Sequence, residues 1–222
     1  MEAFWDRIDE LALDKSGTSK LVPVEDADLF RTLAVEAARF CEVHGASGAI
    51  VLADAQTAGQ VSQLAAIIQE AALAVCAGPR PDIWKKAGNV VQVKLAGLLR
   101  DHRFLIVVTP SFSLALIGVQ TGGGTQDFLR GGWSCERDFV RTVLQEFAQT
   151  FQLAQDVLPG PALSPGAADA SLLLATRLMA NMVAHFSARQ QDIAMDRHDL
   201  FSVLEILKAI SSRRRAHDVL FV

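Results

Sequence analysis

The run from Phe104 to Val119, Phe-Leu-Ile-Val-Val-Thr-Pro-Ser-Phe-Ser-Leu-Ala-Leu-Ile-Gly-Val, constrains the fold more than any other stretch of the chain. Its first half is a continuous series of apolar, mostly branched residues, the pattern of a strand buried on both faces. Thr109-Pro110-Ser111 interrupts it, because proline supplies no ladder donor and sits poorly inside a central strand. A second apolar strand, Phe112 to Val119, follows. The pair reads as a hairpin at the middle of a sheet on which helices pack. The fold class expected is therefore α+β (or α/β), a central sheet with packed helices, followed by long C-terminal helices.

The residues before this hairpin alternate helix and strand signals. Phe4, Trp5, Ile8 and Leu11 lie at helical spacing ahead of the turn-rich Asp14–Ser19. Val24 to Val43 carries an apolar stripe at Leu29, Phe30, Leu33, Ala34, Ala37 and Phe40, with Asp26 or Asp28 placed to cap its start and Gly45 to end it. Ala49 to Ala53 reads as the first strand. Ala58 to Cys76 reads as one packed helix, stopped by the prolines that flank Arg80. Val90 to Val93 favours a strand, whereas the 95, 98, 99 spacing that follows favours a helical turn, and the boundary stays open.

After the hairpin, Gly122-Gly123-Gly124 reads as a loop; no Gly-Lys-Ser/Thr follows to make it a phosphate cradle. Gly131-Gly132 reads as a tight turn that brings Trp133 to the opening of a helix capped by Ser134, with Phe139, Val140, Val143, Leu144, Phe147 and Phe151 as its inner stripe. The clearest boundary is the Pro/Gly-rich linker at 158–168, which divides an α/β domain at 1–157 from helices at 169–222. In these helices Leu172, Met179, Phe186, Ile193, Leu200 and Leu207 recur every seven residues, the spacing of a coiled-coil seam. Their companions are Ala175, Met182, Arg189, Asp196, Val203 and Ile210, and the charged pair in the middle suggests a break between Gln191 and His198. The seam supports either two antiparallel helices folded back on the domain or a dimerising signalling helix. The apolar ending Asp218–Val222 leads to the expectation that an output domain follows.

Half of the 222 residues are hydrophobic and 21% are charged, which suits a globular chain with a large core. A formal net charge of −4 argues against a general nucleic-acid surface, so no nucleic-acid partner is expected. No apolar segment is long enough to cross a membrane and the first residues do not resemble a secretion signal, so a cytoplasmic protein with no membrane partner is expected. Cys41, Cys76 and Cys135 form no CxxC, and His44, His102, His185, His198 and His217 show no HxxxH or HExxH, so no metal site is encoded locally. Nor is there a nucleophile-and-base motif, and no catalytic residue is assigned.

The candidate ligand-binding residues are Arg80, Trp84, His102, Phe112, Trp133 and Cys135. Arg80 and Trp84, with Lys85 and Lys86, would form a cationic rim with an aromatic wall for an anion; a solvated loop is the competing reading. Cys135, close to a helix start, would be a sensing thiol if the dipole lowers its pKa, or else a small buried hydrophobe.

The stretches Phe104–Ile117 and Gly131-Gly-Trp-Ser-Cys-Glu-Arg-Asp-Phe-Val140 together resemble the last part of a DICT domain, a sensory module of bacterial diguanylate cyclases and two-component proteins. The resemblance implies a strand pair, a glycine-aromatic turn and a helix that opens near an acidic residue. Leu200 to Val222 resembles the linker that leads into GAF domains of such proteins. What these likenesses imply is an N-terminal sensory, ligand-binding and dimerisation module of a cytoplasmic signalling protein, regulating a diguanylate cyclase or histidine kinase output. A homodimer, a small-molecule ligand and a downstream GAF or output domain would be its partners; the cofactor is unknown. The competing readings are a structural interaction scaffold and a small enzyme with a spatially assembled site.

Overall fold

The computed structural model describes residues 2–13, 19–85, 87–94, 101–121, 128–153 and 170–192. Met1–Asn181 forms one compact unit and Met182–Val222 a second. The first unit is an α+β fold built on a seven-stranded mixed sheet. Its strands are β1 (Val22–Asp26), β2 (Ile50–Asp54), β3 (Leu73–Ala77), β4 (Val90–Val93), β5 (His102–Val108), β6 (Ser113–Thr121) and β7 (Phe128–Ser134), in the spatial order β1-β7-β6-β5-β2-β3-β4. β2, β3 and β4 run parallel; β1, β7, β6, β5 and β2 pair antiparallel in succession.

The β5–β6 hairpin is central, as its apolar run requires. Its turn satisfies its own polar groups: Thr109 Oγ1 accepts from Phe112 N at 2.9 Å and Ser111 N at 3.2 Å, and Thr109 N donates to Phe112 O at 2.9 Å. That closure lets a proline-containing turn sit beside a buried sheet without unpaired backbone groups.

Helices cover both faces. On one side α1 (Glu2–Ala12) and α5 (Arg137–Thr150) bring Ile8, Ala12, Phe139, Val140, Val143, Leu144 and Phe147 against Ile50, Leu52, Phe104, Ile106, Ala115 and Ile117. Arg7 pairs with Glu146 and Arg130 with Asp9 (2.8 Å), which ties α1 to α5 and β7. The alternate residues Val51, Ala53, Leu105, Val107, Leu114 and Leu116 face the other way and are also fully buried, on the side of α2 (Ala27–His44), α3 (Ala55–Gln60) and α4 (Leu64–Glu70). Asp26 caps α2, its carboxylate accepting from Asp28 N at 2.8 Å and Leu29 N at 2.9 Å, and Gly45 ends the helix with φ +89°.

Three expectations are corrected. The stretch from Ala58 to Cys76 is not one helix: α3 and α4 fill its first part and β3 its last. The apolar run Leu73–Ala77 is buried on both faces in a parallel pairing, where helical and strand periodicities cannot be told apart. Val24 and Glu25, expected in the segment that begins the second helix, belong instead to the edge strand Val22–Asp26, while Asp26 caps the helix as expected; Pro23 is tolerated there because an edge leaves one side of the ladder open. Gly131 and Gly132 do not form a turn. They lie inside β7, opposite Gly118 and Ile117 of β6, and the helix opens only at Arg137 with Glu136, not Ser134, at its N-cap. A Cβ on Gly131 would meet Ile117 O at 2.3 Å and one on Gly132 would meet Val22 O at 2.8 Å, so these glycines serve the close approach of three strands. The linker at 158–168 and the 95–99 pattern lie outside the described residues.

Candidate functional site

The six candidate ligand residues do not converge. Arg80 and Trp84 follow β3, Trp133 is on β7, and three strands lie between β3 and β7, a span of roughly 19 Å at the usual strand spacing. Arg80 staples its own loop: Nε donates to Trp84 O at 2.9 Å and Nη2 to Trp84 O and to Ala87 O, the latter at 2.6 Å. Lys85 is paired with Asp82 at 2.5 Å. Trp84 is fully buried, and its indole N–H finds no acceptor among the described residues. The cationic rim with an aromatic wall is therefore a loop held by carbonyl groups around a core tryptophan.

His102 opens β5 opposite Val119 and is buried; burial pulls its imidazole down to about 4, so the neutral ring is the resident form. Cys135 is half-buried, and burial pushes its thiol up to about 12, which leaves no thiolate for redox or covalent sensing at neutral pH. Trp133 is buried in β7, paired with Val22 and Leu116. Phe112 and Cys135 are neighbours, linked through Ser113, whose Oγ donates to Cys135 O at 3.3 Å.

One polar group escaped the sequence reading. Asp54, at the end of β2, is buried, and its carboxyl accepts from Gln56 N (3.0 Å), Thr57 N (3.0 Å), Thr57 Oγ1 (2.5 Å) and Phe104 N (2.8 Å). It caps α3 and binds β5 to β2 in one stroke. Burial raises its pKa against the lowering effect of those donors. The Asp-x-x-Thr spacing is a capping signal that the sequence did display. Among the described residues, no group of three or more His, Cys, Asp or Glu could hold a metal ion.

The seam positions present a different kind of site. A helix spans 170–192, here α6. Within the first unit, Leu174 and Leu178 of this helix are fully buried. Ser171 Oγ accepts from Ser113 N at 3.3 Å, at the start of β6. Arg177 reaches α2, its guanidinium 5.4 Å from the centre of the Phe40 ring and 3.7 Å from Glu36 Oε1. Phe40 in turn meets the Phe112 ring edge-on at 5.0 Å and stacks on His44 at 4.0 Å. A chain of contacts thus runs from the hairpin turn through Phe112 and Phe40 to Arg177. The other side of the helix is apolar and open: Leu172 is 69% exposed and Met179 45%. In the second unit Val183 is 62% and Phe186 48% exposed, while Met182 is buried. Of the expected companion positions, Ala175 is half-buried in the first unit and Met182 buried in the second, while Thr176 in the first unit and Val183 in the second are exposed. Ile193, Leu200 and Leu207 lie outside the described residues.

No family model and no curated relative matches the chain. Among solved structures it is similar to TrmBL2, an archaeal chromatin protein described as showing a novel mode of DNA binding, at 8% identity and a TM-score of 0.38, over 68% of this chain and 60% of that one. The chain spans less than two thirds of that protein. The expectation that nucleic acid is excluded as a partner is withdrawn in view of this neighbour: an acidic net charge speaks only for the average surface. A likeness this distant carries no argument for DNA binding either. No helix of the described residues is long and apolar enough to cross a membrane.

Proposed function

We propose that the chain is a non-catalytic input module of a cytoplasmic bacterial signalling protein, with a diguanylate cyclase or histidine kinase as its output. Its α/β body would take up a small molecule or a partner, and α6 would carry the change onward. The observation that supports this reading is the seating of α6 on the body. Leu174 and Leu178 are buried, Ser171 is bonded to the start of β6, and Arg177 lies over Phe40 and beside Glu36. A change in the hairpin turn at Phe112 has a contiguous route to the helix through packed rings, and a ligand moves such an equilibrium only by favouring one of two arrangements.

A second reading, a scaffold with no ligand, is favoured by the fate of Arg80, Trp84, Phe112 and Trp133, which are all spent on the core or on their own loop. Native mass spectrometry of the purified chain separates the two by the mass of any co-purified small molecule. Hydrogen exchange with that molecule present and removed then tests the relay. Changed protection over 170–192 supports the input module; changes confined to the residues before 153, or no ligand in any preparation, would leave the scaffold.

A further inference from the structure

We infer that residues 170–181 of α6, all within the first unit, are a charge-gated strap on the α/β body: the pairing of Arg177 with Glu36 holds them down, and its loss frees them and uncovers the start of β6. The inference deepens the input-module reading by naming what sets the seat of the helix, and it rests on that reading for its purpose alone.

The apolar hold on these residues is small. Leu174 and Leu178 are fully buried, whereas Leu172, Leu173 and Met179 are 69%, 44% and 45% exposed. Leucines at successive turns cover little of the body, so the polar contacts on either side of them decide where the strap lies. At its start, Ser171 completes the sheet. β7 ends at Ser134, opposite Ala115, and its ladder does not reach the first residue of β6. Ser113 is buried there, and its N–H donates to Ser171 Oγ at 3.3 Å in place of a strand. A buried amide without an acceptor is strongly destabilising, so release of the strap has to let water in at this point.

Arg177 carries the gate. Its guanidinium lies 3.7 Å from Glu36 Oε1 and 5.4 Å from the centre of the Phe40 ring, both on α2. The partners are unequal, because 43% of the Arg177 side-chain surface is exposed but only 17% of that of Glu36. A neutral side chain in place of Arg177 is readily solvated, whereas the covered carboxylate is left without its cation. Such a charge is unfavourable until it regains water, and departure of the strap returns it to water. The device therefore has a direction. Loss of the cation opens it, and loss of both charges does not, because no covered charge then remains. An acidic group on a ligand or partner that draws Arg177 away would open the strap in the same sense. Phe40, which meets the Phe112 ring edge-on, connects the gate to the hairpin turn.

Amide hydrogen exchange of the full chain without ligand tests the gate, so its outcome is separate from the ligand response that tests the input module. Arg177→Gln should speed exchange over 170–181 and at Ser113 by ~10-fold, the combined scale of a half-covered ion pair and a cation–ring contact, with β2 and β5 at the parent's rate. Arg177→Lys keeps the charge and should stay closer to the parent than to Arg177→Gln. Glu36→Gln combined with Arg177→Gln should bring exchange most of the way back. An Arg177→Gln chain that exchanges over 170–181 at the parent's rate would overturn the inference, as would a double variant that opens further than Arg177→Gln alone. Acceleration spread evenly over β2 and β5 would also overturn it, since that is a loss of general stability and not release of a strap.

Discussion

The same glycine-to-alanine change should have opposite signs at two positions. Gly131→Ala places a Cβ 2.3 Å from Ile117 O and 2.7 Å from Gly118 Cα. Both are backbone atoms in the β6–β7 ladder, so no rotamer change relieves the contact and the strands must separate. Overpacking of this kind costs about 3 kcal/mol, at the upper end of the usual range because backbone has to move. For a chain of this size that corresponds to a fall of roughly 6–12 °C in thermal midpoint. Gly59→Ala is the control. Gly59 lies in α3 with nothing within 4 Å of its added Cβ, and alanine there removes unfolded-state freedom, which stabilises by about 0.5–1 kcal/mol. Differential scanning calorimetry of both variants reads the contrast directly. A Gly131→Ala protein that melts with the parent would show that residues 131–132 lie in an open turn after all, and the β7 register with Val22 and Ile117 would be wrong.

Three further outcomes are expected. Trp133→Ala should cost about 3–5 kcal/mol in chemical denaturation, because it empties a buried site between Val22 and Leu116; an unchanged midpoint would place the ring at the surface. His102 is held neutral, so the unfolded chain takes up its proton first as pH falls, and stability should decline from pH 6.5 towards about 4. Asp54, raised from 3.8 by burial, works in the opposite sense at the acid end, so the His102 contribution is the difference in slope between the parent and His102→Gln; identical slopes would refute it. Cys135, with its thiol near 12, should resist alkylation in the native protein at pH 8 and react promptly once unfolded; rapid native labelling would reinstate it as a sensing thiol.

What could be read from the sequence was what is encoded locally. The β5–β6 hairpin was legible because Thr109 closes its own turn two and three residues on, and α2 because Asp26 caps it and its stripe keeps one period. β3 was hidden, since Leu73–Ala77 follows an alanine-rich helix with no proline or glycine between them. β7 was hidden for a different reason: its glycines are required by the carbonyls of Ile117 and Val22, neighbours that a local pattern does not reveal. The ligand candidates were chosen by residue type, and Arg80 shows the weakness of that choice, because its donors are consumed by Trp84 and Ala87 in the same loop. The seat of α6 joins Ser171 to Ser113 and Arg177 to Glu36 and Phe40 across most of the first unit, so no spacing rule could have indicated it. Leu172 and Met179, two members of the seven-residue repeat, are both exposed within the first unit.

The relay from body to helix turns on Phe40, which lies between Phe112 and Arg177. Hydrogen exchange of Phe40→Leu beside Gly59→Ala measures it. Phe40→Leu should accelerate exchange across 170–181 by more than it does across β2 and β5, with Gly59→Ala leaving the helix unaltered. If Phe40→Leu left exchange over 170–181 at the parent's rate, the helix would be independent of the ring that links it to the hairpin, and the chain could not work as an input module by this route.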